Sequence, residues 1–400
     1  MSFDSLTFLI FLFSFGFTML ASFIDFRRKK PISTEPFISV IIPTYNDGDT
    51  VEESVKSVFD SYSKDKFEIF VVNDKSTDNT LEVLENLKNK YNFTILNNKE
   101  NLGKAQSLNN AVDHTKGDII LFLDSDTLMS HKALYDMLSS LEDKKVAAST
   151  CRYRVKNTGF MARMQEFEYG FMGLVQTSYN LTSTISLWGG CILIKKNALN
   201  EVGRFSLNML TEDVDLALKL GENGWKTRES HYSVSSYVPT SFKVFYKQKI
   251  RWGAGFGQCF FAHYKTFLKN PIVIFFNITY VFFTFSFIFL SVKNIIYMDE
   301  LYRVLSSVRE QGNSIITSIG LVQLATGFHF LKTISLYFLY PLFSLPYALV
   351  NINSKKEFYK IWLIFPFSII YMPIYSIISA IGLAKGVKNF YTIKKDQRGW

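Results

Sequence analysis

Residues 5–24 carry no charged side chain, and a run of that length constrains the chain more than any other feature. About 20 apolar residues in helical form span the hydrocarbon core of a bilayer. Arg27, Arg28, Lys29 and Lys30 follow closely. A basic cluster after the run, with no charged region before it, argues against a cleaved leader. It also directs the downstream chain to the cytoplasmic side. The pattern returns toward the other end. Residues 271–292 form a second apolar run, 314–350 a third broken only by His329 and Lys332, and 361–384 a fourth. The third run makes either one long span or two short ones, 314–331 and 333–350. The two-span count leaves the basic tail 385–400 in the cytoplasm, as the charge rule favours. The expected organisation is an N-terminal anchor (1–30), a central domain (31–270), C-terminal spans (271–384) and the tail.

Composition agrees. Of 400 residues, 48% are hydrophobic, 39 are Phe and 20% are charged, against roughly 25% charged in soluble proteins. Intrinsic disorder is excluded by the apolar surface available for burial. Cys151, Cys191 and Cys259 have neither metal-ligand spacing nor an even count, which excludes a disulfide scaffold and a zinc site and fits a reducing compartment. The net charge is +9. Basic residues cluster at 27–30, 355–360 and 385–398, beside the apolar runs. Anionic lipid headgroups account for them, and a nucleic-acid partner is disfavoured.

Between the apolar runs, β-type stretches alternate with helix-like ones, the pattern of a parallel α/β sheet. Strands are expected over 37–43, 67–74, 93–96 and 118–124. Helices are expected over about 50–59, from a cap at Ser76-Thr77-Asp78 to about 91, and after Asn101-Leu102-Gly103 to about 114. Open α/β sheets bind ligands beyond the carboxyl ends of their strands. Two strands end there in acids: Asp74, and Asp124 with Asp126. Asp-x-Asp at such an end suits a hard divalent cation carrying a diphosphate. Taken alone, the pair also reads as solvated turn acids. Lys104, at a helix start, suits a phosphate or is a plain surface lysine. Thr211 can cap a helix with Glu212 and Asp213 in its first turn, where acids are favoured anyway; the functional reading is a general base. Gln248, Arg251 and Trp252 share one helical face. An arginine and an indole there can hold a diphosphate and stack a sugar ring, and the same helix can lie on a membrane surface.

The ordered series PTYND (43–47), VVNDKSTDNT (71–80), NLGKAQSLNNA (101–111), DSD (124–126), TED (211–213) and QKIRW (248–252) resembles the family 2 glycosyltransferases. More narrowly, it resembles their membrane-embedded processive branch of poly-N-acetylglucosamine, chitin-oligosaccharide, hyaluronan and cellulose synthases. The resemblance covers roughly 37–260. It implies a GT-A type nucleotide-sugar domain, α/β with a mostly parallel sheet, flanked by transmembrane α-helices. It implies donor-nucleotide contacts from Tyr45, Asp47, Asp74, Lys104 and Asp124. Asp124 and Asp126 are the implied site for Mg2+ or Mn2+, with Asp126 ahead as direct ligand. Asp213, beside Glu212, is the implied base. Gln248, Arg251, Trp252 and Trp188 border the acceptor and the mouth of a polymer channel. Two departures stand out. Asn46-Asp47 replaces the Asn-Glu of many relatives, and the stretch from Trp188 to Cys191 does not closely match the hyaluronan or chitin-type segments.

One base without an evident nucleophile implies single displacement with inversion. The implied activity is polymerisation of a β-linked polysaccharide from a UDP-sugar, with N-acetylglucosamine favoured by the compact layout, and export of the growing glycan. The expected setting is the plasma membrane, with several spans and a cytoplasmic catalytic domain. Two alternatives stay open: transfer of one sugar to a polyprenyl-phosphate or other lipid, and a transporter or channel with a cytosolic domain. The strand-end acids count against the transporter.

Overall fold

The computed structural model of the chain describes residues 35–180, 187–269 and 366–389, with isolated positions elsewhere. Four parallel strands lie at its centre: β1 (Ile38–Thr44), β2 (Phe67–Asn73), β3 (Thr94–Asn97) and β4 (Ile119–Leu123). Helices α1 (Val51–Phe59), α2 (Thr80–Leu87) and α3 (Lys104–Val112) make the crossovers. β1 and β2 are buried almost throughout. Strands covered on both faces need apolar side chains in both directions, so they read as continuous apolar runs. The alternating side chains feed two cores. Val40, Ile42 and Val71 join one, and Ile41, Val72 and Phe122 join the other.

Beyond β4 the sheet changes character. Strands β5 (Thr127–Leu128), β6 (Val146–Val155), β7 (Cys191–Lys195) and β8 (Lys226–Ser236) complete eight strands in the order β3-β2-β1-β4-β7-β6-β8-β5. β7 runs antiparallel to both β4 and β6, and β5 antiparallel to β8. β6 and β8 pair in parallel, so the sheet is mixed but mostly parallel, as expected, with only β7 and β5 running against the other strands. The reversal has a structural consequence. β7 begins with Cys191 opposite Leu123, so the preceding loop is delivered to the carboxyl end of β4. A parallel strand would carry that loop to the other edge.

Helices α4 (His131–Leu141), α5 (Phe160–Tyr179), α6 (Lys196–Glu201), α7 (Glu212–Glu222), α8 (Phe242–Ala262) and α9 (Tyr264–Lys269) follow in the domain. Ser130 and Ser241 cap α4 and α8 by accepting from Ala133 N and Val244 N. After a π-helical turn at Phe367–Tyr371 comes α10 (Met372–Asn389). α10 lies directly on α8. A β-carbon on Gly386 would stand 2.2 Å from Ala254 O, and one on Gly382 2.8 Å from Ile250 O. Small residues let two helix backbones approach this closely.

Among the described residues no helix is long and apolar enough to cross a membrane. The spans expected over 5–24, 271–292, 314–331 and 333–350 lie outside the described residues, isolated positions aside, and so does the tail from 390. Of the span expected over 361–384, the described part is the π-helical turn and α10. α10 buries Ser376 and Ser379 and runs on to Lys385 and Lys388.

Candidate active site

β1 ends at Thr44, and the chain turns through Asn46 with φ at 58°. That left-handed conformation suits asparagine better than most residues. Asn46 Oδ1 accepts from Thr77 N at 2.7 Å, and Asn46 N donates to Ser76 Oγ at 3.0 Å. The turns after β1 and β2 thus form one surface. Asp47 accepts from Tyr45 N at 3.1 Å and from Ser125 Oγ at 2.6 Å, which aims it at the Asp124–Asp126 turn. Asp74 is fully buried. Its Oδ1 accepts from Leu102 N and Asn98 Nδ2 and its Oδ2 from Gly103 N, each at 2.8 Å. Asp74 therefore fixes the loop that opens α3, and Gly103 there has φ of 83°.

Lys104 is the first residue of α3, and it joins segments far apart in sequence. Its Nζ lies 2.6 Å from Asp124 Oδ1 and 3.5 Å from Glu212 Oε1, and donates to Gly189 O at 3.3 Å. Burial pushes this ammonium down, but Asp124 and Glu212 outweigh it and hold the pKa above the ordinary lysine range. Glu212 and Asp213 open α7. Thr211 does not cap the helix through its side chain, contrary to expectation; its hydroxyl faces Cys259 Sγ at 3.5 Å. Asp213 is instead held by main-chain donors, with Gly189 N at 2.7 Å and Val214 N at 2.9 Å. Burial and the neighbouring Glu212 push Asp213 up to about 6, against the pull of Lys104. A carboxylate so placed is matched to proton transfer near neutral pH.

Gly189 carries this arrangement. A β-carbon on it would meet Asp213 Oδ2 at 2.8 Å. Gly189→Ala is expected to push the carboxylate aside and lower any base-dependent turnover by about 10²-fold, with the far-ultraviolet circular dichroism unchanged. Full activity in a folded variant would show that Asp213 need not hold this position.

Asp126 is pushed up to about 7, by burial first and by Asp124 second, against the hydroxyl of Thr127 at 3.0 Å. Asp124 is also raised, because burial outweighs the pull of Lys104. With Asp47 nearby, the turn holds more negative charge than one lysine offsets. Among the described residues no three side chains of ligand type gather into a metal cage. Mg2+ ordinarily takes one or two carboxylates plus substrate phosphates and water. Asp124 and Asp126 fit that partial set, and a divalent cation there would supply the charge the turn lacks.

An aromatic wall adjoins these acids through Trp188, next to Gly189. Trp188 packs on Tyr153 with ring centres 5.2 Å apart and on Tyr169 at 5.7 Å, and Tyr169 stacks on Trp252 at 6.4 Å. Among the described residues, Trp188 Nε1 and Gln248 Oε1 are buried without a hydrogen-bond partner. Arg251 is engaged elsewhere: its Nη1 donates to Leu210 O at 2.9 Å, which anchors α8 beside the start of α7. The structure thus brings together Asp47, Lys104, Asp124, Glu212 and Asp213, with Asp126 on the same turn. It places Asp74 behind them as a loop anchor, and Trp188 with Trp252 along the wall. Sequence reasoning missed Tyr153, Tyr169, Glu168 and Lys249. The spacing Phe245, Lys249, Trp252 was the available signal for the last.

The profile of the family described as Glycosyl transferase family 2 matches residues 39–203. A poly-beta-1,6-N-acetyl-D-glucosamine synthase of Staphylococcus aureus (strain MSSA476) is 29% identical over 236 residues, 57% of this chain and 57% of that protein. The protein of the same name from Staphylococcus epidermidis is 30% identical over 54% of each chain. This chain therefore matches little more than half the length of these curated relatives. Among solved structures, a mannosyltransferase from Pyrobaculum calidifontis in complex with GDP-Man and Mn2+ superposes with a TM-score of 0.59 at 18% identity, covering 98% of this chain and 99% of that one. The likeness is one of fold, and the fold is a GT-A-like mixed α/β sheet. Residues 39–203, which bear the strand-end acids and Lys104, are the part of the chain that is similar to the family 2 glycosyl transferases.

Proposed function

We propose that this chain is a membrane-bound inverting glycosyltransferase that polymerises a β-linked polysaccharide from UDP-N-acetylglucosamine and passes it across the plasma membrane. The observation that carries the reading is the junction at Lys104, where one ammonium ties the strand-end Asp124 to Glu212 on α7, beside Asp213. The sugar is supported by the staphylococcal relatives, which are poly-beta-1,6-N-acetyl-D-glucosamine synthases. Divalent-metal use is supported by the acid turn and by the Mn2+ of the archaeal mannosyltransferase.

Asp124 and Asp126 would hold the cation, Mg2+ or Mn2+. When bound, it neutralises the diphosphate and eases its departure. The chain's own residues do the rest. The turn at Tyr45 and Asp47, with the loop braced by Asp74, frames the nucleotide. Lys104 and the N-terminus of α3 face the diphosphate. Asp213, aimed by Gly189 N and Val214 N, takes the proton of the acceptor hydroxyl as that oxygen attacks the anomeric carbon and UDP leaves. One displacement inverts the centre, so an α-linked donor gives a β-linked product. The rings of Trp188, Tyr169 and Trp252 suit the faces of acceptor sugars. The free Trp188 N–H and Gln248 carbonyl suit their hydroxyls.

The membrane setting is supported by the apolar runs at 5–24, 271–292 and 314–350. It is also supported by the exposed stripe Ile370, Ile374, Ile377 and Ile381 on the outer side of the terminal helical segment. The catalytic domain is then cytoplasmic, and the partners are the UDP-sugar, the growing glycan and lipid with anionic headgroups. The test is a screen of UDP-sugars with Mg2+ or Mn2+, followed by mass analysis of the product. A ladder of N-acetylhexosamine oligomers is expected. A product that stops at one sugar on a lipid contradicts polymerisation.

A pH dependence follows. The base must be deprotonated, and burial holds Asp213 at about 6. kcat/KM is expected to fall about tenfold per pH unit below that value and to level off above it. A flat profile down to pH 5 contradicts Asp213 as base.

A further inference from the structure

The chemistry above makes no use of a buried ion pair under α8. Lys249 Nζ lies 2.6 Å from Glu168 Oε1, and the two side chains are only 1% and 2% exposed. Burying two charges is costly, and an apolar pair of similar volume would pack as well or better. The charges therefore call for a purpose beyond cohesion. Their surroundings suggest one. Lys249 Nζ stands 3.8 Å from the ring centre of Trp252, 5.4 Å from that of Tyr169 and 5.7 Å from that of Tyr375. An ammonium this close to an indole is held by the ring's negative face. Glu168 Oε2 accepts from the hydroxyl of Tyr371. Tyr371 ends the π-helical turn Phe367–Tyr371, and π-helical turns inside helices are often found at functional sites. A single carboxylate thus gathers α5, α8 and the entry to α10, while its ammonium partner sits on the aromatic wall.

We infer that Lys249, held by Glu168 and Tyr371, is a positioning residue that sets the ring of Trp252 for the acceptor saccharide, so that the docking of α10 on α8 governs elongation. The inference rests on the glycosyl-transfer reading and names a control on its acceptor side. It assigns Lys249 no contact with the donor.

The test uses the full chain in lipid nanodiscs, UDP-N-acetylglucosamine as donor and a short N-acetylglucosamine oligosaccharide as acceptor. Lys249→Met or Glu168→Gln alone leaves one buried charge uncompensated and threatens folding. The informative variants are the double Glu168→Gln/Lys249→Met, Tyr371→Phe and Lys249→Arg. For the double variant the acceptor KM is expected to rise about tenfold and the product ladder to shorten, while the donor KM and kcat at saturating acceptor stay within about twofold. Tyr371→Phe shifts acceptor KM the same way by a smaller factor, and Lys249→Arg restores most of the wild-type ladder. If the double variant leaves acceptor KM and ladder unchanged, or lowers kcat and raises both KM values together, the inference is overturned while the glycosyl-transfer reading stands. A wild-type protein that transfers no sugar overturns both.

Discussion

Asp213→Asn abolishes sugar transfer, with an expected loss of about 10²–10⁴ in rate, and leaves nucleotide binding intact. The amide has nearly the shape of the carboxylate, and its oxygen can still accept from Gly189 N, 2.7 Å away from the present acceptor. It cannot take a proton from an attacking hydroxyl. Lys104 keeps Asp124 and Glu212, and the Asp124–Asp126 turn is untouched, so the donor side retains its charges. Release of UDP in the presence of acceptor measures the loss, and calorimetric titration with UDP and Mg2+ measures what remains. Near-normal turnover would move the base elsewhere, with Glu212 the first residue to examine.

The second large effect concerns the cation. Asp126→Ala is expected to weaken Mg2+-dependent binding of UDP by about 10²-fold, the scale of losing one charged contact of ~3 kcal/mol. Binding of UDP without metal should change little. The same substitution is expected to raise the Tm of the metal-free protein. Asp126 is held at about 7 in the fold, above its value in an unfolded chain, so the folded state binds that proton more tightly. Its contribution to stability is present at low pH and lost as pH rises through about 7, leaving the ionised carboxylate at a cost. Removing it removes that cost. A variant with unchanged metal-dependent affinity would take Asp126 out of the cation site.

The parallel half of the sheet was legible from sequence to within a residue or two at each end. FISVIIP and FEIFVVND read as strands because burial on both faces demands unbroken apolar runs, and their ends placed Asp74, Asp124 and Asp126 correctly on the carboxyl edge. The half of the sheet beyond β4 was not legible. β8 is lettered KTRESHYSVSS, and its polar residues are satisfied at long range: Ser230 Oγ donates to Asp136 Oδ2 at 2.5 Å, and Glu229 N donates to Asn180 Oδ1 at 2.7 Å. No local period reveals such partners. Helical spacing likewise grouped Gln248, Arg251 and Trp252 on one face without showing what each meets. Arg251 turned to a main-chain carbonyl, while Lys249, one residue off that face, took the place on the indole.

Proximity of acids that stand far apart in sequence is the claim on which the reading depends, and metal-directed backbone cleavage addresses it. Fe2+ is loaded in place of Mg2+ with UDP present, and ascorbate and peroxide generate radicals at the bound ion. Fragments ending near 124–126, near 187–190 and near 211–213 are expected together, and all three should vanish with excess Mg2+. Cleavage confined to 124–126, or none that Mg2+ suppresses, would place Asp213 away from the metal turn and contradict a shared site.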